Sequence, residues 1–172
     1  MLDKTRSTQP SSRPVIFLDI DGVLNQSGSK SDQHKIDPTL LRRFRRLVTV
    51  LDARVVLVST WRHELGGVER AHDLDIPFED VVPDLRPCSR GDEVRAWLRF
   101  HPDAKRFVIL DDDDDGYGDM PLFQPNPYTG LSDRVAGAVD AFLMGERQTD
   151  SRRTLFVRVG QYIESFVTGH RG

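Results

Sequence analysis

The 172-residue chain is long enough for one domain with a substantial core and short for two. Its formal net charge of -3 leaves no strong global field that points to nucleic acid or to a membrane surface. A single cysteine, Cys88, excludes an internal disulfide and favours a reducing, cytoplasmic location. No apolar stretch approaches the roughly 20 residues of a membrane-spanning helix, so we expect no membrane partner.

The first predicted element is a strand that ends in two aspartates. It follows a polar segment, 1–13, that is predicted to be a flexible tail. The apolar run 15–18 is rich in β-branched residues and predicts a strand buried on both faces, as in parallel sheets. Asp19 and Asp21 come next and project on one side of the pleat, and Gly22 allows a sharp turn. Open α/β folds bind ligands at this edge of the sheet.

The segment that follows predicts a helix and a second strand. Apolar residues recur at helical spacing from Pro38 to Leu51, behind Asp37 as N-cap. The arginines of this helix could follow a nucleic-acid backbone, although a solvated face is the favoured interpretation. A buried strand at 54–58 then ends in Ser59 and Thr60.

The remaining elements continue the alternation of strands and helices. We predict a weak helix that ends near Leu74 and then a short strand near 81–82. They are followed by a helix from Arg90 or Gly91 to near Pro102 and by a strand at 107–110. Ser132 caps a further helix, and an additional amphipathic helix is predicted at 150–168. With no repeat or linker, 14–172 is predicted to be a single α/β domain, a three-layer Rossmann-like parallel sheet with helices on both faces.

Polar side chains follow three of the predicted strands. They are Asp19 and Asp21, Ser59 and Thr60, and Asp111 and Asp112. Facing carboxylates are costly unless a cation neutralises them, and a set of oxygen ligands favours Mg2+. A hydroxyl and a cation nearby are what a phosphoryl group requires, and Arg90 at a helix start could supply that positive charge.

These segments, taken in order, resemble the four motifs of the haloacid-dehalogenase (HAD) superfamily. The motifs are Asp19-Ile20-Asp21-Gly22-Val23-Leu24, Ser59 after a strand, Arg90 before a helix, and Leu110-Asp111-Asp112. More narrowly, the chain resembles the small HAD domains grouped with Swiss Army Knife RNA repair proteins. The strings Ser59-Thr60-Trp61-Arg62, Arg90-Gly91-Asp92-Glu93-Val94-Arg95-Ala96-Trp97-Leu98 and Val108-Ile109-Leu110-Asp111-Asp112 carry that closer match. The resemblance covers residues 14–142.

The resemblance implies a phosphomonoesterase mechanism. Asp19 would attack phosphorus and form an aspartyl-phosphate, and Asp21 would act as general acid and then as general base. Mg2+ would be held by the Asp19 carboxylate, the backbone carbonyl of Asp21 and the Asp112 carboxylate. Ser59 and Arg90 would hold the phosphoryl oxygens.

The resemblance leaves several assignments open. The third motif usually supplies a lysine, and here the cation is Arg90 or Lys105; Arg90 is preferred because Lys105 precedes its strand. Within the acidic run, Asp112 is the preferred metal ligand and Asp111 the alternative, while 113–115 are predicted to be solvated loop.

Two residues beside Ser59 are further candidates for the phosphate site. Thr60 is predicted to lie there with its hydroxyl, and Arg62 could contact the substrate phosphate. Trp61, between them, could contact substrate or pack in the core.

The intervals between the motifs leave no room for a lid domain, so no substantial cap is expected. An open site would accept a phosphate on a large molecule, and a nucleotide or a nucleic-acid end is favoured as the phosphorylated substrate. The alternative is a catalytically silent HAD-like domain that binds a phosphorylated partner. A receiver-like domain is disfavoured, because Ser59 ends the strand that would carry its phosphorylated Asp. A calcium-binding loop that starts at Asp111 is also disfavoured, because Leu122 stands where a bidentate Glu belongs.

Overall fold

The structure is a computed structural model that describes residues 13–26 and 35–149, with side chains as far as residue 145. Its strands are β1 (Val15–Leu18), β2 (Arg54–Leu57), β3 (Asp80–Val81), β4 (Phe107–Leu110) and β5 (Leu122–Phe123). Its helices are α1 (Pro38–Leu51), a 3-10 helix (Thr60–His63), α2 (Gly67–Asp73), α3 (Arg90–Phe100) and α4 (Asp133–Thr149).

The five strands form one parallel sheet in the order β3-β2-β1-β4-β5. In the register of the three central strands, Leu18 lies level with Leu57 on one side and with Leu110 on the other. The chain segments that leave these strands therefore start from one edge of the sheet. This common level is what brings the polar residues after β1, β2 and β4 together.

Side chains of the central strands alternate between two cores, as burial on both faces requires. One core joins alternate strand residues to α1, α2 and α4; its members from β1, β2 and β4 are Ile16, Leu18, Val55, Leu57, Val108 and Leu110. The other joins the remaining strand residues to α3 and includes Tyr117. The predicted α/β fold, a parallel sheet with helices on both faces, is confirmed.

Most predicted elements match the observed ones within a few residues, and two features were not predicted. The 3-10 helix forms directly after Ser59, and β5 adds a two-residue edge strand beside β4. Arg13, the last residue of the predicted tail, donates to the carbonyl oxygens of Asp52 and Ala53 and pairs with Glu79. The rest of that tail and the predicted helix at 150–168 lie outside the described residues.

Within the described residues, none of the helices has the length and apolar character needed to span a membrane.

Candidate active site

The turn after β1 buries Asp19 and brings the chain back against the acidic loop that follows β4. The Asp19 carboxylate accepts a hydrogen bond from the Ile20 amide at 2.7 Å. Gly22 has a positive φ of 69°, and a Cβ atom there would lie 2.3 Å from the carboxyl carbon of Asp112. Glycine is therefore needed at this position both for backbone conformation and for space.

Asp21 is held by two donors, one on each carboxylate oxygen. The Asn25 amide donates to Oδ1 at 2.6 Å, and the indole Nε1 of Trp61 donates to Oδ2 at 2.9 Å. Asn25 also accepts from the Gly22 amide at 2.9 Å, so it fixes the turn as well as the carboxylate. Trp61 is fully buried and combines the packing role, one of the two roles left open above, with a hydrogen bond to Asp21.

Ser59 and Thr60 occupy different environments at the end of β2. Ser59 is fully buried and caps the 3-10 helix, where its hydroxyl accepts from the Trp61 amide at 3.4 Å. The Ser59 side chain also acts on the carboxyl group of Asp19, where hydrogen bonding opposes the rise of the Asp19 pKa that burial causes. Thr60 begins the 3-10 helix and is exposed. The predicted site residue Ser59 thus lies directly beside Asp19.

The two aspartates after β4 have separate surroundings, because neighbouring residues point in different directions. Asp111 is fully buried; the Tyr117 hydroxyl donates to its Oδ2 at 2.5 Å and the Asp113 amide donates to its Oδ1 at 2.9 Å. Asp112 is half-buried and faces Gly22. Asp19, Asp111 and Asp112 each offer a carboxylate oxygen within 4.8 Å of the others.

Arg90, the first residue of α3, is the cation of this group. One of its terminal nitrogens lies 2.9 Å from Asp19 and 3.0 Å from Asp111, and its Nε lies 3.1 Å from Asp115. Burial lowers the pKa of Arg90, but the carboxylates of Asp111 and Asp19 outweigh it and hold that pKa above its ordinary value. Lys105 is exposed and precedes β4, at the opposite edge of the sheet. Of the two candidate cations, Arg90 is therefore the one beside Asp19.

Several carboxylates are buried around one arginine, so the site carries more negative than positive charge and an additional cation would stabilise it. Burial and the nearby Asp19 raise the pKa of Asp111 to about 7, and burial also raises the pKa values of Asp19 and Asp112. A hard divalent cation with oxygen ligands relieves this cost, because it is an opposite charge at close range. The donor set of Asp19, Asp111 and Asp112 therefore fits Mg2+.

Arg62 lies near these residues but its terminal nitrogens are directed to protein acceptors. One nitrogen donates to the carbonyl oxygens of Ser59, at 2.7 Å, and of Val58; the other donates to Glu93. The side chain of Arg62 is 4% exposed. Its predicted role as a phosphate ligand stays a prediction.

Sequence reasoning missed three residues that shape the site. Asn25 stands four residues after Asp21, directly after the first motif, and a polar residue at the end of that turn was the available signal. Tyr117 and Glu93 gave no signal: Tyr117 reaches Asp111 only through the path of the loop after β4, and Glu93 acts on a residue 31 positions away.

A parallel sheet whose carboxyl edge carries an Asp-x-Asp turn, a serine, an arginine and a second acidic loop defines a HAD-type domain. The model of the family described as the HAD domain in Swiss Army Knife RNA repair proteins matches residues 15–136, and the chain belongs to that family. The resemblance drawn from the motifs is thereby confirmed. Searches among curated proteins and among solved structures gave no match. HAD membership indicates a phosphatase-type hydrolase and favours it over the calcium-binding and receiver-like alternatives.

Proposed function

We propose that this protein is a Mg2+-dependent phosphomonoesterase that acts through an aspartyl-phosphate on Asp19. The observation that carries the proposal is the position of Asp19, which lies beside two further carboxylates, Asp111 and Asp112, and is paired with Arg90 and Ser59. A nucleophile, a cation site and donors for phosphoryl oxygens are the parts that phosphoryl transfer requires.

In the first step, a carboxylate oxygen of Asp19 attacks phosphorus while the bond from phosphorus to the leaving oxygen breaks. Asp21 donates a proton to that oxygen and becomes a carboxylate. The hydrogen bonds from Asn25 and Trp61 support this role because they hold Asp21 in one orientation beside the Asp19 turn. The products of this step are the dephosphorylated alcohol and phosphorylated Asp19.

In the second step, water attacks the phosphorus of the aspartyl-phosphate, and the bond between phosphorus and the Asp19 oxygen breaks. Asp21 takes a proton from that water, so both aspartates return to their starting states and inorganic phosphate is released. Arg90 and Ser59 hold the phosphoryl oxygens in both steps. Thr60 is proposed to contribute its exposed hydroxyl at the rim of the site.

Mg2+ would be held by the carboxylates of Asp19 and Asp112, with Asp111 as a further candidate ligand and the backbone carbonyl of Asp21 as a fourth group. When bound, the ion supplies the positive charge that lets a phosphate approach a group of carboxylates. The raised pKa values of Asp19, Asp111 and Asp112 support this assignment, since burial alone disfavours their charged forms.

We further propose that the substrate is a nucleotide or the phosphorylated end of a nucleic acid. The longest interval between two consecutive named elements is 19–37, which is too short in sequence for a separate cap domain. A site without a cap can accept a phosphate on a large molecule, and the family takes its description from RNA repair proteins. The exposed free thiol of Cys88 suits a reducing compartment and is the basis for proposing a cytoplasmic location.

A phosphatase screen with and without Mg2+ tests the proposal. The substrates are nucleotides, oligonucleotides with 3′- or 5′-phosphates, phosphopeptides and sugar phosphates, and the control is Asp19→Asn. We expect Mg2+-dependent release of phosphate from nucleotides or oligonucleotide ends, and loss of turnover in the folded variant. Substantial activity in Asp19→Asn refutes the nucleophile assignment. Release from none of the substrates, with retained binding of a phosphorylated ligand, favours the catalytically silent alternative.

A further inference from the structure

Arg62 and Glu93 form an ion pair in the protein interior, next to the candidate site. Their side chains are only 4% and 1% exposed. Arg62 also donates to the carbonyl oxygens of Val58 and Ser59, and the second carboxylate oxygen of Glu93 accepts from the Leu85 amide at 3.0 Å. The pair therefore connects three segments: the end of β2, the loop before α3, and α3 itself.

These contacts argue against a direct role for Arg62 in binding phosphate. Both terminal nitrogens donate to protein acceptors, and the remaining Nε is buried without a hydrogen-bond partner among the described residues. Burial lowers the pKa of Arg62, and the charge of Glu93 opposes this effect. A phosphate could reach the guanidinium only if these contacts were broken.

Glu93 is equally poorly suited to hold a metal ion. Its carboxylate lies within 4.8 Å of possible ligand atoms of His63 and Asp84, a combination that can hold a cation in other settings. Here, however, the guanidinium of Arg62 donates to one carboxylate oxygen of Glu93, and the Leu85 amide donates to the other. The carboxylate of Glu93 thus serves as the counter-charge of Arg62.

Helix α3 gives the pair a fixed reference point. The Gly91 amide donates to the Asp115 carbonyl at 2.9 Å, and Arg90 pairs with the Asp115 side chain. A Cβ atom at Gly91 would lie 2.0 Å from the carbonyl oxygen of Gly116, so the helix start is packed directly on the acidic loop. Glu93 stands three residues after Arg90 on this anchored helix.

We propose that Arg62 is a positioning residue, tied by Glu93 to α3, that fixes the peptide group after Ser59 and thereby holds the Ser59 hydroxyl in place for phosphate. The proposal rests on the proposed function for the step to which Ser59 contributes. Arg62 acts through Ser59 and does not contact the substrate. This ion pair of Arg62 and Glu93, the tie between the end of β2 and α3, also sets the spacing between Ser59 after β2 and Arg90 on α3. These are the two residues that hold the phosphoryl oxygens.

Glu93→Gln breaks the tie with the least change of shape. Both oxygens of Glu93 now accept hydrogen bonds, whereas a glutamine side chain offers one acceptor oxygen and one NH2 donor. Whichever way the amide turns, one donor faces another donor, and Arg62 loses its counter-charge. Glu64→Gln is the matched control, because Glu64 lies two residues after Arg62 but forms an exposed pair with Arg70 at 3.1 Å.

The test combines hydrogen exchange with phosphate binding and kinetics. Backbone exchange is followed in 59–64 and, as reference, in 19–25; binding of inorganic phosphate is measured by calorimetry with Mg2+ present. Turnover of para-nitrophenyl phosphate gives kcat and KM for wild type, Glu93→Gln, the control Glu64→Gln, Ser59→Ala and the double variant of Glu93→Gln with Ser59→Ala. We expect faster exchange in 59–64 but not in 19–25, weaker phosphate binding, and a loss in kcat/KM on the order of 10- to 100-fold for Glu93→Gln. In the Ser59→Ala background the same substitution should cost little, since the residue that it positions is already gone.

Two results overturn the inference: unchanged exchange and phosphate affinity in Glu93→Gln, or effects of Glu93→Gln and Ser59→Ala that simply multiply. A direct phosphate ligand would give unchanged or tighter phosphate binding in Glu93→Gln, because the guanidinium stays in place and loses its counter-charge; tighter binding therefore overturns the inference as well. If wild type neither binds nor releases phosphate, the proposed function fails, while the exchange data still decide whether the tie exists. Should Glu93→Gln not fold, Arg62→Met with Glu93→Met removes both charges together; wild-type phosphate affinity in that folded pair also overturns the inference.

Discussion

Trp61 offers a sharp test of the role of Asp21, because the chain contains a second tryptophan in a closely similar setting. Trp61 Nε1 donates to Asp21 at 2.9 Å, and Trp97 Nε1 donates to Asp80 at 2.7 Å. Both side chains are buried, and each has an arginine over its ring, at 5.4 Å for Trp61 and 5.5 Å for Trp97. Asp80 belongs to the edge strand β3, whereas Asp21 belongs to the candidate site.

Trp61→Phe keeps an aromatic ring in the core and removes the N–H group that holds one oxygen of Asp21. A hydrogen bond to a charged group contributes about 1.5–3 kcal/mol. If that energy serves to keep Asp21 in its catalytic orientation, its loss lowers kcat/KM by roughly 10- to 100-fold, at about 1.4 kcal/mol for each factor of ten. The smaller ring and the lost bond together should lower the free energy of unfolding by about 2–4 kcal/mol.

The assay compares Trp61→Phe with Trp97→Phe by urea unfolding and by kcat/KM on the substrate that the screen selects. We expect similar losses of stability in the two variants and a loss of activity in Trp61→Phe alone. Wild-type kcat/KM in Trp61→Phe, at a stability matching that of Trp97→Phe, would refute the reasoning that Trp61 orients Asp21 for catalysis.

Further predictions concern backbone space and charge. Gly22→Ala places a Cβ atom 2.3 Å from the carboxyl carbon of Asp112, in a turn with positive φ. We expect calorimetry to show Mg2+ binding that is about tenfold weaker, or weaker still, than in wild type. An unchanged affinity for Mg2+ would contradict this expectation. Gly91→Ala meets a backbone carbonyl at 2.0 Å and should lower the free energy of unfolding by about 1–3 kcal/mol, whereas Gly137→Ala, with open space in α4, should raise it by about 0.5–1 kcal/mol. With EDTA present, the free energy of unfolding should fall as pH rises from about 4 to about 7, because the raised pKa of Asp111, about 7, lets the folded state keep a proton that the unfolded state has lost. Urea unfolding at several pH values in that range should show that the free energy of unfolding falls less steeply with pH in Asp111→Asn than in wild type. An equally steep fall in both proteins would contradict the assignment of this effect to Asp111.

The sheet could be predicted from the sequence where its strands are buried on both faces. The runs that became β1, β2 and β4 are short, apolar and bounded by polar residues, so their pattern was clear without tertiary information. Strand β5 has two residues and pairs with β4 alone. A pairing this short leaves no periodic signal, and it exists only because the sheet provides a partner.

The approximate location of the candidate site followed from the same reasoning. Asp19, Ser59 and Asp111 each come just after a strand, and parallel pairing brings such positions to one edge. The hydrogen bonds between them could not be predicted, because they depend on side-chain directions set by the turns. The contact between Arg62 and Glu93 spans 31 positions in the chain, and nothing in the sequence marks these two residues as partners.

The distribution of charge around Arg90 links the two ligands of the proposed reaction. One terminal nitrogen of Arg90 is shared by Asp19 and Asp111, so the arginine already neutralises part of the acidic group. A phosphoryl group brings further negative charge to the same guanidinium and must compete with these carboxylates for it. A divalent cation at the carboxylates removes that competition, because it takes over their neutralisation and leaves Arg90 free to face phosphate. Binding of the cation and of phosphate should therefore each strengthen the other, and the proposed role of the buried pair of Arg62 and Glu93 is to preserve the spacing on which this coupling would depend.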